Sequence, residues 1–282
     1  MRSRPFGELR VHYREHGDGP PLLLVHGLMT TSYSWRYVYA SLGRAYRVIA
    51  PDLPGSGRTD KPDAPSYSAA ALAEWIGEFQ EAAGIRGCPA VGNSLGGYLC
   101  MRLALRDPGA FARLVDMHSP AFPEARYHAL HAALAIPGAR RALSAFIRRD
   151  PARWVWRNVH YFDETLKSLE ETREYGAPLA TPEGARAFIR MLSETMAPGG
   201  FADFVADLEE RKAGETPFPV PLLLLYARYD PLVPATHGDR LHASIAGSSL
   251  AWLEDTSHFA HVDTPEPVVR EIMTFLGAGR DS

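Results

Sequence analysis

The sequence predicts an α/β fold, a mostly parallel sheet flanked by helices. Three observations carry this. Short apolar runs alternate with longer segments of helical periodicity, as βαβ units do. A glycine-flanked serine, "AVGNSLGGYLC" at 90–100, falls where a buried strand run gives way to a helix. One long stretch, 122–216, interrupts the alternation with helical patterns and no convincing strand.

Taken in order, "LRVHYREH" (9–16) alternates apolar and polar residues and reads as an early, antiparallel strand. Buried strands follow at "PLLLVHG" (21–27), "YRVIAPD" (46–52), "CPAVGN" (88–93), "FARLVDMH" (111–118), "VPLLLLYA" (220–227) and "SLAWLED" (249–255). Helices fit between them at 67–83, 95–106, 235–245 and 266–276. Proline-rich hinges, "SPAFP" (119–123) and "ETPFPVP" (215–221), bracket the interruption. Within it, "TPEGARAFIRMLSETM" (181–196) opens as a helix should, with Thr181 as N-cap and Pro182 at the first helical position. "FADFVADLEERK" (201–212) puts Phe201, Phe204, Val205 and Leu208 on one face. The expected organisation is a core in two parts, 1–121 and 217–282, with a helical cap inserted at 122–216.

The bulk numbers narrow the function. With 46% hydrophobic and 22% charged residues the chain has ordinary globular composition. Thirty basic against 33 acidic residues, a formal charge of −3, supply no global field for nucleic acid. The basic N-terminus has no apolar segment behind it, which argues against a secretory signal. No apolar run approaches the ~20 residues of a membrane span, so stable membrane insertion is not expected. Cys88 and Cys100 do not make a disulfide framework. The expectation is a reduced, cytoplasmic protein, monomer or homodimer, acting on a small molecule.

A lone G-x-S-x-G is weak, and the same turn can bind phosphate or serve packing. Its context sharpens it. A tight strand-to-helix turn strains the serine and presses the two backbones together, so the positions two residues either side must be glycine, as Gly92 and Gly96 are. A serine hydroxyl needs a base, and the base needs an orienting carboxylate. Asp230 comes just past one buried strand and His258 just past the last. Ser94, Asp230 and His258 all fall at the carboxyl ends of strands, where parallel sheets collect function.

On "LLLVHG" (22–27), "VIAPDLPGSGRT" (48–59), "VGNSLGG" (91–97), "LLLYARYDPLVP" (223–234) and "SHFAHVDTPE" (257–266), nearly the whole chain resembles the α/β-hydrolase superfamily. The resemblance implies an eight-stranded sheet and the chain order serine, acid, histidine. It implies Ser94 as nucleophile, His258 as general base and acid, and Asp230 as orienting carboxylate. The amides of Leu28 and Leu95 would form the oxyanion hole. No cofactor or metal is implied. Dehalogenases and epoxide hydrolases of this fold use aspartate at the elbow, where this chain has Ser94. A carboxylic ester, lactone or thioester of an apolar small molecule is then the expected substrate. The "GNSLGG" elbow also resembles carbon–carbon bond hydrolases of ring-fission products. Against that, the loop "HGLMTTSYSW" lacks their glycine-proline-glycine pattern, and Phe259 stands where they tend to have tryptophan. A slow-turnover receptor on the same scaffold is a third possibility.

Other titratable groups have plainer readings. His261 reads as structural and His26 as a loop anchor. Asp52 reads as shaping its turn. Asp116 is a rival acid. Gly55 and Gly57 lack the third glycine of a dinucleotide motif, and His128 with His131 lacks the ligand set of a metal site. In the insertion, Trp154, Trp156, Phe162, Phe188 and Met191, with Phe259 beside the histidine, are expected to line an apolar substrate pocket. Arg140, Arg141, Arg148, Arg149, Arg153 and Arg157 share a segment with the two tryptophans. Such a basic amphipathic face can touch a membrane surface or an anionic substrate; Asp163, Glu164, Glu170, Glu171 and Glu174 lie close by in sequence, and the expectation is that they neutralise it as a solvated, salt-bridged surface.

Overall fold

The computed structural model describes residues 1–64 and 66–277. Two short strands, β1 (Arg2–Ser3) and β2 (Gly7–Glu8), form a separate antiparallel ribbon. The main sheet is built from β3 (Tyr13–His16), β4 (Pro21–Val25), β5 (Arg47–Pro51), β6 (Ala90–Asn93), β7 (Leu114–Met117), β8 (Leu222–Ala227) and β9 (Ser249–Leu253). Its order is β3-β5-β4-β6-β7-β8-β9. Only β3 runs antiparallel, against β5. Among the described residues the sheet therefore has seven strands, not the eight implied by resemblance.

Strand alternation explains how the sheet is covered on both sides. Leu23, Val25, Ile49, Ala90, Leu222 and Leu224 face one apolar layer. Their chain neighbours Leu22, Leu24, Val48, Val91, Leu223 and Leu225 face the other. The short helix α1 (Tyr39–Leu42) precedes β5, and α2 (Ala69–Ala82) and α3 (Leu95–Arg106) flank β6. Leu72, Trp75 and Ile76 of α2 join Leu99 and Leu103 of α3 in the first layer. Ser68 caps α2 by accepting from the Ala71 amide at 3.3 Å.

Between β7 and β8 every element is helical: α4 (Ala125–Ala135), α5 (Ala139–Arg149), α6 (Pro151–Asn158), α7 (Leu169–Gly176), α8 (Pro182–Thr195) and α9 (Pro198–Ala213), with short 3-10 turns. Thr181 accepts from the Gly184 amide at 3.0 Å, the cap read from the sequence. Phe201, Phe204 and Leu208 of α9 are buried against the sheet layer. The chain then returns through α10 (Thr236–Ser244), α11 (Ala260–Asp263) and α12 (Pro265–Leu276), whose Val268 and Ile272 close the second layer. No helix among the described residues is long and apolar enough to cross a membrane.

The expected salt-bridged arginine surface does not form. Among the described residues, none of the six arginines between 140 and 157 pairs with a carboxylate. The nearby acids turn elsewhere: Glu164 to Lys167, Glu171 to Arg36, and Glu174 to Arg58 at 3.1 Å. Asp163 holds the Thr165 amide at 2.9 Å.

Candidate active site

Because β4, β6, β7, β8 and β9 are parallel neighbours, their carboxyl ends share one edge of the sheet. The residues just past those ends are Leu28, Ser94, His118, Asp230 and His258. Topology thus gathers at one edge residues scattered over most of the chain.

Ser94 is the junction of β6 and α3, at φ 55° and ψ −121°. That is a left-handed φ for a residue with a side chain, a strain of order 1–3 kcal/mol that the surroundings must hold. They do so through backbone crowding. A Cβ on Gly92 would meet the backbone of Gly97, and one on Gly96 would meet the carbonyl of Val25. The Ser94 amide donates to Met117 O at 2.7 Å, and the Ser119 hydroxyl donates to Ser94 O at 2.8 Å. The first intrahelical acceptor of α3 is Ser94 O, taken by Tyr98 N–H at 3.1 Å. The Leu95 amide therefore stands at the open, positive end of the helix.

His258 is 3% exposed, and its Nδ1 lies 2.7 Å from Asp230 Oδ2. A carboxylate can only accept, so Nδ1 carries the proton and Nε2 is the basic nitrogen. The other oxygen, Asp230 Oδ1, accepts the amides of Leu232 at 2.7 Å and Val233 at 2.9 Å. Burial pushes the Asp230 carboxyl up, but His258, His118 and the Val233 amide outweigh it and leave it below its ordinary 3.8. It stays ionised through neutral pH.

Asn93, beside the serine, donates from Nδ2 to His258 O at 3.0 Å. It ties the elbow to the histidine loop. Asn93→Ala is expected to cost about 1–3 kcal/mol of stability, the worth of a buried hydrogen bond whose acceptor is left unpaired. It should also lower kcat more than it changes KM, which denaturant titration and steady-state kinetics would measure. Asp263 anchors the same loop from the other side. Its Oδ2 accepts the Ser257 amide at 2.9 Å, and its Oδ1 accepts the Phe162 amide at 2.9 Å.

The loop after β4 is set by His26, which is fully buried. Its Nδ1 meets Gly27 O at 2.8 Å, and its Nε2 accepts the Leu53 amide at 3.0 Å. It is a loop anchor, as read. Leu28 follows, and Met29 turns at φ 66°. Asp52 holds the amides of Ser32 and Arg58, each at 2.8 Å, so it shapes its turn. His261 is buried against Trp35, ring centroids 4.3 Å apart, with no hydrogen-bond partner among the described residues on either nitrogen.

Asp116 is not the partner of His258. It shares the single proton of the Ser119 hydroxyl with Ser94 O, and accepts from the Tyr226 hydroxyl at 2.9 Å. Burial raises it from 3.8 to about 7, against those two hydrogen bonds. The sign follows: the folded state holds this proton more tightly, so Asp116 costs stability increasingly as pH rises from about 4 to about 7. Asp116→Asn is expected to keep most turnover. It should also lose less stability than the parent between those pH values, by an amount on the order of a few kcal/mol. Chemical denaturation across that range checks it.

Two residues at the edge are invisible as motifs. His118, at φ 55° past β7, accepts the Ala227 amide on Nε2 at 2.8 Å. Its ring lies 5.8 Å from that of His258. Burial drives its pKa down to about 3, so it is neutral beside the Asp230–His258 pair. Ser119 supports the elbow carbonyl. Their only sequence signal is position, directly after the strand that neighbours the elbow strand.

The expected pocket residues divide. Phe188 and Phe259 are buried in one cluster, with Leu28 and Trp154 packed against it. Met191 belongs to the sheet-side cluster instead. Trp156 is 44% and Phe162 48% exposed. Trp156 carries the Lys167 ammonium 5.6 Å from its ring centre, and Phe162 meets Tyr229 at 6.1 Å. The structure does not bring these two into the buried cluster.

A serine at a strained elbow, a buried Asp–His pair and a parallel sheet together define a hydrolase of the α/β class. The chain belongs to the α/β-hydrolase fold family, whose model matches residues 20–265. It is 26% identical over 267 residues to the uncharacterized hydrolase YugF of Bacillus subtilis, covering 94% of this chain and 93% of that one. It is 27% identical over 272 residues to haloalkane dehalogenase 2 of Mycobacterium tuberculosis, covering 95% and 92%. Its fold is similar to that of a thermophilic esterase from Thermogutta terrifontis, at TM-score 0.74 and 22% identity, covering 96% and 94%. The chain is an α/β-fold hydrolase.

Proposed function

We propose that this enzyme hydrolyses carboxylic esters of apolar small molecules, lactones and thioesters included, through an acyl-enzyme on Ser94. The observation that carries the reading is the 2.7 Å Asp230–His258 pair, tied by Asn93 to the strained serine elbow. Serine at that position favours an acyl-enzyme, where the dehalogenases of this fold place aspartate.

Ser94 Oγ attacks the carbonyl carbon as His258 Nε2 takes its proton. Negative charge on the carbonyl oxygen is held by the Leu28 and Leu95 amides, each worth about 3 kcal/mol in the transition state. His258 returns the proton to the departing alcohol. It then takes one from water, which attacks the acyl carbon, and gives that proton to Ser94 Oγ as the bond to the acyl group breaks and the acid leaves. Asp230 stabilises the imidazolium in both steps. The helices of 122–216 act as the cap, and Phe188, Phe259 and Trp154 bound the apolar side of the substrate space. Trp156 and Phe162 lie outside it.

Purified enzyme should turn over short p-nitrophenyl esters faster than it cleaves vinylogous diketones of the ring-fission type. Ketone cleavage outpacing every ester, lactone and thioester would replace this reading with carbon–carbon hydrolysis. Stoichiometric ligand retention without turnover would replace it with a receptor.

A further inference from the structure

The groove between α5 and α8 is a cavity of about 460 Å³ on the face of the helical insertion. Arg140, Arg141 and Arg148 line it from α5, and Arg186 and Arg190 from α8. On the α8 side, Asp63 lies 3.8 Å from Arg186 and 3.6 Å from Arg190, and Glu194 lies 2.8 Å from Arg190. On the α5 side no carboxylate among the described residues balances the charge. Among the described residues, Arg140 and Arg148 donate to main-chain carbonyls alone, Leu134 O at 3.2 Å and Ala180 O at 3.4 Å. Arg141 and Arg148 are seven residues apart, so they stand on one stripe of the helix, roughly 10 Å apart. Between them the wall is formed by Ser144 and Ala145, with the apolar Pro182 and Ile189 opposite.

We propose that this groove binds a phosphate monoester carrying an apolar chain. Guanidinium groups suit phosphate because their planar donors match its several oxygens and its double charge. Three arginines without carboxylate partners around one concavity exceed what a single carboxylate ligand would engage. The apolar wall gives the ligand's chain a surface, and the arginine stems extend it. The site is separate from Ser94 and does not depend on which bond the enzyme cleaves.

Isothermal titration with hexyl phosphate, inorganic phosphate and hexanol tests this. Hexyl phosphate should bind saturably and at least tenfold more tightly than inorganic phosphate, and hexanol should not bind. R141S/R148S should weaken hexyl phosphate at least tenfold and leave p-nitrophenyl ester hydrolysis unchanged. R149S/R153S, which removes the same charge outside the groove, should bind like the parent. Equal loss in both double variants would overturn the groove as the site, as would no binding by the parent. Co-sedimentation with phosphatidic acid and phosphatidylcholine vesicles separates two sources of the same chemistry. Pelleting with phosphatidic acid alone, lost in R141S/R148S, assigns a lipid headgroup. No pelleting, with hexyl phosphate still bound, assigns a soluble phosphate ester.

Discussion

Ser94→Ala is expected to lower kcat for a short p-nitrophenyl ester at least about ten-thousand-fold, as loss of a nucleophile does elsewhere. The unfolding midpoint should stay within the scatter of the parent. Alanine keeps the Cβ, so the backbone strain at φ 55° is unchanged. The hydrogen bonds at this junction are made by the main chain, Ser94 N to Met117 O and Ser119 Oγ to Ser94 O. Retention of most of the activity would remove Ser94 from the mechanism.

Asp230→Asn is expected to cost about ten-thousand-fold in kcat, although the side chain is nearly isosteric. The reason lies in Oδ1. The amides of Leu232 and Val233 both donate to it, so the asparagine oxygen must take that place. Its NH2 group then faces His258 Nδ1, which has to accept. The ring proton moves to Nε2, and the imidazole can no longer take a proton from serine. A second consequence concerns acid stability. The depressed carboxyl of Asp230 stabilises the fold above its ordinary 3.8, and that stability is lost as pH falls through the lower folded value. The asparagine variant should lack this part of the acid transition. A variant with near-parental kcat would show that Asp230 is not the orienting group.

The elements that periodicity can mark were legible. The helix read at 95–106 is α3, and Thr181 caps α8 as its sequence predicts. The double burial of the sheet follows from apolar runs such as "PLLLV", whose alternate residues enter different layers. The ribbon of β1 and β2 was not legible, because two-residue strands carry no period. In the site, Ser94, Asp230 and His258 could be picked out because each follows a buried strand. Asn93 could not be assigned a role, since its partner, His258, is 165 residues away. Asp263 and His118 likewise act through contacts that only the fold creates. The arginine segment shows the opposite failure. Acids near it in sequence suggested neutralisation, but helix geometry aims Glu171 and Glu174 at Arg36 and Arg58 instead.

The central claim is a covalent intermediate on one serine, and mass spectrometry of the enzyme quenched during turnover of p-nitrophenyl acetate tests it most directly. The account predicts an acetyl group on the peptide that contains Ser94, absent in Ser94→Ala. Turnover with no adduct there, or with the adduct on another residue, would contradict it.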